Sequence, residues 1–277
     1  MPSNREAYFS ALDKDVSKSI IDFALQEING FDYSELSIHL DDEIKDIHRF
    51  ESAIDRYLNG EMIEYIFNKA YFLSTPFYVD KNVLIPRQET EQLVLRTKDL
   101  IMNMFGNEQI TIADVCTGSG IIGLSLKKAL NSDNVYLTDI SKEALVVANK
   151  NASLLKLDVK CLEGDMLVPL IANNVICDVI VCNPPYIGDA STIDKKTWEQ
   201  EPRLALLASP NTLFYEKLLK EYANVVNDKF LIAFEIGEDM EESLTLLVAK
   251  YCPNAEYFFE KDMYGKTRFL FIKTRSV

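Results

Sequence analysis

From residue 110 onward, short runs typical of β-strands alternate with longer runs typical of α-helices, and this alternation limits the possible fold more than any other feature. Strands separated by helices usually pair in parallel, and a parallel sheet is covered by helices on both faces. The strand-like runs are 110–115, 134–138, 159–162, 175–182, 230–236, 255–259 and 269–272. The helical runs are 121–130, 142–155, 214–226 and 240–250. Since no helical run separates the last two strands, we expect a hairpin there and an antiparallel final strand.

The first 70 residues have a helical pattern instead. Apolar residues recur at helical spacing from Ile20 to Ile28, before Gly30, and from Ile44 to Leu58, before Asn59-Gly60; a third short helix is predicted over about 61–69. Residues 71–79 alternate around Ser74-Thr75-Pro76 as in a hairpin, and a helix is expected over about 89–104. The sequence therefore predicts a small helical part followed by a larger α/β domain.

The charge of the chain argues against direct nucleic-acid binding. The formal net charge is −14, and residues 1–75 carry −8 of it, from 7 Lys and Arg against 15 Asp and Glu. Proteins that bind free nucleic acid usually present a basic face to the phosphates. The acidic residues of the N-terminal part are either the solvated face of a helical bundle or a docking surface for a basic partner.

The apolar runs, histidines and cysteines of the sequence exclude further classes of protein. No apolar run approaches the roughly 20 residues that span a bilayer, and no signal peptide can be recognised, so we expect a soluble, cytoplasmic protein. The two histidines, His39 and His48, leave the C-terminal half without a His-ligated metal centre or a Ser-His-Asp triad. The five cysteines form no C-x-x-C pair and are interpreted as reduced structural thiols: Cys116, Cys161, Cys177, Cys182 and Cys252.

A small-residue turn follows the first strand of the α/β part. It reads Ala113-Asp-Val-Cys-Thr117-Gly118-Ser119-Gly120-Ile121, and a helix starts near its end. Glycines let a ligand approach the backbone, and the amides of the helix start face that ligand. The letters Gly118 to Gly123 also fit the G-x-G-x-x-G dinucleotide fingerprint. This segment alone is also compatible with a crossover that uses its glycines for packing.

Carboxylates follow the next two strands. Asp139 ends the second strand, about twenty residues after the glycines, where a carboxylate can grip ribose hydroxyls. It can also serve as a helix cap for the run that starts at Ser141. After the third strand, Asp165 can accept the adenine amino group and Met166 can pack on the ring, although an ordinary acidic turn has the same letters.

The fourth strand is followed directly by Asn183-Pro184-Pro185-Tyr186. Consecutive prolines remove backbone donors and keep the chain extended, which leaves neighbouring carbonyls unpaired. The Asn183 side-chain oxygen and the Pro184 carbonyl then form two adjacent acceptors, which match the two hydrogens of an –NH2 group. Tyr186 offers a flat face for a planar amide or base. A dehydrogenase has no use for this arrangement.

Together these motifs lie at the carboxyl ends of successive strands, where open α/β sheets bind ligands. They indicate an S-adenosylmethionine-dependent methyltransferase in which a nitrogen displaces the sulfonium by SN2 transfer. The protein mainly aligns the nitrogen with the C–S bond, which is catalysis by positioning. No metal ion is needed.

These residues resemble the protein-(glutamine-N5) methyltransferases that modify peptide chain release factors. The resemblance is carried by Leu84-Ile-Pro-Arg87-Gln-Glu89-Thr-Glu91, the glycine loop and Asn183–Tyr186. Further matching segments lie later in the chain: Glu201-Pro-Arg-Leu-Ala-Leu206, Glu235-Ile-Gly237 and Lys261-Asp-Met-Tyr-Gly-Lys-Thr-Arg268. Asn-Pro-Pro-Tyr alone is shared with adenine-N6 methyltransferases, whereas the joint occurrence is more specific.

The resemblance implies a seven-stranded, Rossmann-like class I methyltransferase domain over 87–277, a helical substrate-docking domain over 1–70 and a linking β-hairpin over 71–86. It implies transfer of a methyl group from S-adenosyl-L-methionine, leaving S-adenosyl-L-homocysteine, to the glutamine of a Gly-Gly-Gln motif. The donor would be held by the following residues: Thr117, Gly118, Ser119, Gly120, Asp139, Asp165, Met166 and Asn183. Asn183–Tyr186 would hold the glutamine.

Three departures from the family pattern are visible. Cys116 stands where the family has glycine, so the turn is made either without positive φ or with strain. Gln88 replaces a proline, and Leu207-Ala-Ser-Pro-Asn-Thr-Leu213 replaces a glycine-rich stretch. The alternatives are a methyltransferase for a ribosomal-protein glutamine or for nucleic-acid adenine, and a non-catalytic module that keeps the donor pocket.

Overall fold

A computed structural model describes residues 2–32, 34–130 and 134–275, and the chain divides into two units, Met1–Lys69 and Ala70–Val277. The first unit is helical, with helices α1 (Asn4–Leu12), α2 (Lys18–Asn29), α3 (Ile47–Leu58) and α4 (Ile63–Phe67). Helix α2 is ended by Gly30, which was the predicted helix stop and adopts a left-handed φ of 73°. The apolar faces of the four helices share one core.

The sequence analysis missed helix α1 and began α3 too early. Helix α1 buries only Asn4, Ala7 and Ala11, so its apolar pattern is weak. Its start is marked by a capping box, in which Ser3 accepts from the Glu6 backbone and the Glu6 side chain accepts from the Ser3 backbone. Helix α3 begins after its cap Asp46, and Ile44 is buried in the preceding turn rather than in the helix.

The second unit opens with the hairpin of β1 (Ala70–Phe72) and β2 (Thr75–Phe77), followed by helix α5 (Gln88–Phe105). The sheet strands are β3 (Thr111–Val115), β4 (Asn134–Asp139), β5 (Lys160–Glu163), β6 (Cys177–Cys182), β7 (Val226–Glu235), β8 (Ala255–Lys261) and β9 (Thr267–Thr274). The remaining helices are α6 (Ile121–Leu130), α7 (Lys142–Leu155), α8 (Val168–Ala172), α9 (Lys195–Gln200), α10 (Leu213–Glu221) and α11 (Glu241–Tyr251).

The seven sheet strands are ordered β5-β4-β3-β6-β7-β9-β8. Strands β3 to β7 pair in parallel, and β9 is antiparallel to both of its neighbours, which confirms the predicted final hairpin. Another predicted boundary was wrong: the helix expected over 214–226 ends at Glu221, and Val226 already begins β7. Apolar residues on both sides of the short turn at Tyr222–Asn224 continue the helical spacing and hide this break.

Alternate residues of each strand point to opposite faces, so the sheet has two apolar cores. On one face, Val115 and Ile180 pack with α10 and α11. On the other, Ile112 and Val179 pack with α5 and α6. This three-layer α/β/α arrangement confirms the predicted fold class.

The register of the central strands brings the motifs to one edge. Val115 of β3 pairs with Thr138 of β4 on one side and with Cys182 of β6 on the other. These strands therefore end at one edge of the sheet, where Cys116 follows β3, Asn183 follows β6 and Asp139 is the last residue of β4.

Candidate active site

A cavity of about 340 Å³ lies at the carboxyl ends of β3, β4, β5 and β6. Most of the residues predicted for the site line it: Thr117, Gly118, Ser119, Asp139, Asp165, Met166, Asn183 and Pro185. Three predicted residues do not line it: Gly120, Pro184 and Tyr186. Most of the predicted donor-binding residues and the start of the Asn-Pro-Pro-Tyr motif therefore line the same cavity at this edge of the sheet.

The loop between β3 and α6 exposes backbone to this cavity. Gly118 has a φ of 54°, and a Cβ built there would meet no atom within 4 Å, so its backbone faces open space. Cys116 has a φ of 59°. The turn therefore places cysteine, an L-residue, in the left-handed backbone region at the position where the family has glycine. This conformation costs an L-residue about 1–2 kcal/mol. The second of the two expectations for Cys116, a strained turn, is the one observed.

Asp114, which is fully buried, holds the loop in place through hydrogen bonds. Its Oδ2 atom accepts hydrogen bonds from Thr117 Oγ1 at 2.6 Å and from the Gly123 backbone at 2.8 Å, while Oδ1 is buried without a partner among the described residues. Burial raises the pKa of Asp114 to about 7, although the bonds from Thr117 and Gly123 oppose the shift.

Asp139 joins the glycine loop to the end of β4. Its Oδ2 atom accepts from the Gly118 backbone and its Oδ1 atom from the Ser141 backbone, both at 2.9 Å. Helix α7 is capped by Ser141, whose hydroxyl accepts from Ala144. Burial raises the pKa of Asp139, while bonds from backbone N–H groups lower it. A carboxylate on the cavity wall beside the open space at Gly118 fits a ligand that carries a ribose.

The third segment that was predicted to bind the donor, at Asp165 and Met166, contacts helix α10. Asp165 Oδ2 lies 2.6 Å from Lys217 Nζ, and Met166 is buried with its sulfur 3.7 Å from the Cys116 sulfur. Phe214 and Lys217 line the cavity and were missed by the sequence analysis. Their helix follows the fourth strand by some thirty residues, and no local pattern links it to the glycine loop.

The Asn-Pro-Pro-Tyr motif is tied to two other elements. Asn183 Nδ2 lies 3.3 Å from Thr90 Oγ1 of α5, and the Tyr186 hydroxyl lies 3.3 Å from Glu235 Oε1 of β7. Thr90 Oγ1 in turn donates to Glu235 Oε2 at 2.7 Å. The use of the Tyr186 ring as a flat face for a substrate stays a prediction, since Tyr186 does not line the cavity.

Two of the segments that carry the family resemblance also line the cavity, although the sequence analysis assigned them no role. Ile85, Pro86, Arg87 and Thr90 come from one of them, and Pro202, Leu204 and Ala205 from the other. Arg87 Nη2 lies 2.7 Å from both carboxylate oxygens of Glu201, whose side chain is completely buried. This ion pair joins segments that are 114 residues apart in the chain.

No helix in the described ranges has the length and apolarity needed to cross a membrane. Residues 94–200 match the model of the methyltransferase small domain family. A Pyrococcus furiosus methyltransferase of known structure superposes with a TM-score of 0.54 at 17% identity, over 82% of this chain and all of that one. This likeness supports the fold alone.

Sequence relatives are more informative. A release factor glutamine methyltransferase of Mycoplasma mycoides subsp. mycoides SC is 36% identical over 265 residues, which cover 93% of each protein. One from Moorella thermoacetica is 41% identical over 200 residues, covering 71% of this chain and 69% of that protein. The similarity runs through both units of the chain, and the protein belongs to the release factor glutamine methyltransferase family.

Proposed function

We propose that this protein transfers a methyl group from S-adenosyl-L-methionine to the side-chain amide nitrogen, N5, of a glutamine in peptide chain release factors. The observation that carries this proposal is the position of Asn183-Pro-Pro-Tyr186 at the end of β6, with Asn183 on the wall of the cavity that Gly118 and Asp139 also line. Membership of the family supports the choice of release factors, and the Gly-Gly-Gln loop is the proposed target.

The donor end of the cavity is proposed to hold S-adenosyl-L-methionine. The backbone of Thr117–Gly120 would face the donor where Gly118 leaves open space, and Asp139 would bind the ribose hydroxyls. Asp165 and Met166 would bind the adenine, and Asn183 would close the donor end beside the acceptor. A solved methyltransferase of the same fold, the Thermus thermophilus 16S rRNA N2 G1207 enzyme, was obtained with AdoMet and guanosine.

The acceptor end is proposed to hold the glutamine amide. S-adenosyl-L-methionine would supply a methyl group on a positively charged sulfur. The amide nitrogen would displace that sulfur in line with the C–S bond, with release of S-adenosyl-L-homocysteine and of one amide proton to solvent. The Asn183 oxygen and the Pro184 carbonyl would accept the two amide hydrogens and so aim the nitrogen. This chemistry needs orientation and exclusion of water rather than a metal ion. The Tyr186 hydroxyl is already held by Glu235, which fixes its ring beside the prolines.

The first unit is proposed to dock the release factor, and the hairpin of β1 and β2 to link it to the methyltransferase domain. It carries −8 of the net charge of −14 and none of the residues that line the cavity. The acidic surface would speed encounter with a basic partner. Since the proposed substrate acts in translation, we also propose a cytoplasmic location and no direct nucleic-acid binding.

The test is to incubate the purified protein with labelled donor and a panel of release factors, ribosomal proteins and adenine-containing nucleic acids, and then to map the labelled residue. Labelling of the Gly-Gly-Gln glutamine is expected. Asn183→Ala should lower turnover by about 10² while leaving donor affinity largely intact, because one of two aligning acceptors is lost. Asn103→Ala, on the exposed face of α5, is the matched control. Label on a ribosomal protein or on adenine instead would overturn the proposal.

A further inference from the structure

Two hydrogen bonds connect the Asn183 carboxamide to a buried carboxylate. Asn183 Nδ2 lies 3.3 Å from Thr90 Oγ1, and Thr90 Oγ1 lies 2.7 Å from Glu235 Oε2. Thr90 is 2% exposed in the first turn of α5, and Glu235 is 3% exposed at the end of β7. Asn183 and Thr90 line the cavity, whereas Glu235 does not. The carboxylate therefore reaches the site only through other side chains.

The number of available protons fixes the direction of both bonds. An ionised carboxylate only accepts hydrogen bonds, and a threonine hydroxyl has one proton to give. Thr90 must therefore donate to Glu235, so that its oxygen can only accept from Asn183. The group of Asn183 that faces Thr90 is then the Nδ2 donor. The Oδ1 acceptor is left as the end that a ligand can use.

We propose that Thr90 and Glu235 are positioning residues that hold the Asn183 carboxamide with its oxygen available to the –NH2 group of the methyl acceptor. This inference rests on the proposed function, in which an amide nitrogen is the acceptor. In the flipped carboxamide, Nδ2 would face the substrate nitrogen, and two donors would oppose each other. The free energy of flipping the Asn183 carboxamide therefore depends on Glu235, which does not contact the substrate.

The same carboxylate holds the far end of the motif. Its Oε1 atom lies 3.3 Å from the Tyr186 hydroxyl, and the Glu235 backbone carbonyl accepts from the Tyr215 hydroxyl at 2.8 Å. One residue therefore orients both Asn183 and Tyr186. Pro184 and Pro185 between them allow little backbone rotation.

The arrangement depends on the ionisation of Glu235. Its carboxylate faces Thr90 and Tyr186, with Arg268 of β9 and Glu89 of α5 nearby; Arg268 itself binds Asp262 and the Ile236 carbonyl. Burial raises the pKa of Glu235 to about 6. Below that pH the protonated carboxyl group can donate to Thr90, whose own proton is then free to turn toward Asn183. The carboxamide is therefore fixed above about pH 6 and free to flip below it.

The activity test compares Thr90→Val and Thr90→Ser in the full chain. Valine keeps the shape of threonine without the hydroxyl, and serine keeps the hydroxyl. Thr90→Val should lower kcat by about tenfold or more, with donor affinity within about threefold of the original, since alignment alone is lost. Thr90→Ser should restore kcat to within about threefold, because the hydroxyl is the functional group. Equal losses in the valine and serine variants would overturn the proposal.

A second measurement needs no methyl acceptor. In protein labelled with ¹⁵N-asparagine, the Asn183 side-chain signal is identified by its loss in Asn183→Asp, and it should titrate with a midpoint near pH 6. This titration should vanish in Thr90→Val and Glu235→Gln and persist in Thr90→Ser. A signal that does not titrate in the original protein contradicts the inference, whatever the substrate proves to be. Failure to methylate release factors, with the titration intact, contradicts only the proposed function.

Discussion

Asp114 and Glu235 are carboxyl groups that the fold buries beneath the site, and both have raised pKa values. The pKa is about 7 for Asp114 and about 6 for Glu235, and burial is the main cause for each. A carboxyl group whose pKa is raised by folding binds its proton more tightly in the folded state than in the unfolded state. Its ionisation therefore destabilises the fold as the pH rises from the ordinary carboxyl pKa to the raised one. For Asp114, we expect this loss of stability between about pH 4 and pH 7.

Asp114→Asn should make this dependence measurable. The asparagine oxygen can still accept from Thr117 and Gly123, but no charge is buried. We expect the variant to gain stability relative to the original protein as the pH rises from 5 to 8, by on the order of 2 kcal/mol over that range. Denaturant unfolding at several pH values measures this. Asp99→Asn, on the exposed face of α5, removes a charge from the surface as the control. A stability difference that is constant with pH would contradict the assigned cause.

At the scale of elements, helix α6 lies against β3 and β4 at a glycine. A Cβ built on Gly123 would lie 2.4 Å from Leu137 Cδ2 and 2.9 Å from Asp114 Cβ. The second of these atoms is fixed to the backbone of β3 and cannot rotate away. The close approach also lets the Gly123 N–H reach Asp114 at 2.8 Å. The helix start, and with it the Gly118 loop, is positioned by this contact.

Gly123→Ala should therefore destabilise the protein even though alanine favours helices. Overpacking costs about 1–3 kcal/mol and the helix gains about 1 kcal/mol, so we expect a net loss of up to about 2 kcal/mol. Donor affinity, measured by calorimetry, should fall as well because the loop must shift. Gly188→Ala is the control, since its Cβ would meet its nearest atom at an ordinary 3.5 Å. Equal stability of the two variants would show that α6 accommodates a methyl group.

At the scale of the whole molecule, the cavity and the more acidic part of the chain belong to different units. The residues that line the cavity all belong to the unit Ala70–Val277, while Met1–Lys69 is the more acidic unit per residue. A single glutamine side chain buries little surface, so recognition of one glutamine among many requires contacts outside the cavity. This is the physical basis for proposing that the first unit docks the substrate.

Removal of residues 1–69 should separate docking from chemistry. The truncated protein should bind the donor and methylate a short Gly-Gly-Gln peptide about as well as the full chain, because the cavity lies in the remaining unit. Its kcat/KM for the intact release factor should fall by about tenfold or more, with weaker salt dependence, because an acidic encounter surface is lost. Circular dichroism checks that the unit stays folded. Undiminished methylation of the intact factor would contradict the docking role.

The sequence by itself determined the order of the sheet strands and of the longer helices in the α/β part, and which loops line the cavity. Both follow from local patterns: apolar spacing distinguishes strand from helix, and the motifs after β3, β4, β5 and β6 stand directly behind strand-like runs. Parallel pairing then requires these loops to share one edge of the sheet. Weak apolar patterns hid α1, and apolar residues across a turn hid the end of α10.

Only the tertiary structure decided which side chains meet behind those loops. Thr90 lies 93 residues from Asn183 and 145 from Glu235 along the chain, and Lys217 lies 52 from Asp165. Such contacts depend on strand order, register and helix packing, and no local spacing encodes them. The positive φ of Cys116 is likewise imposed by the turn between β3 and α6 rather than favoured by the residue. The direction of the Asn183 carboxamide follows from contacts of this kind, because the proton that fixes it belongs to Thr90 and its acceptor to Glu235.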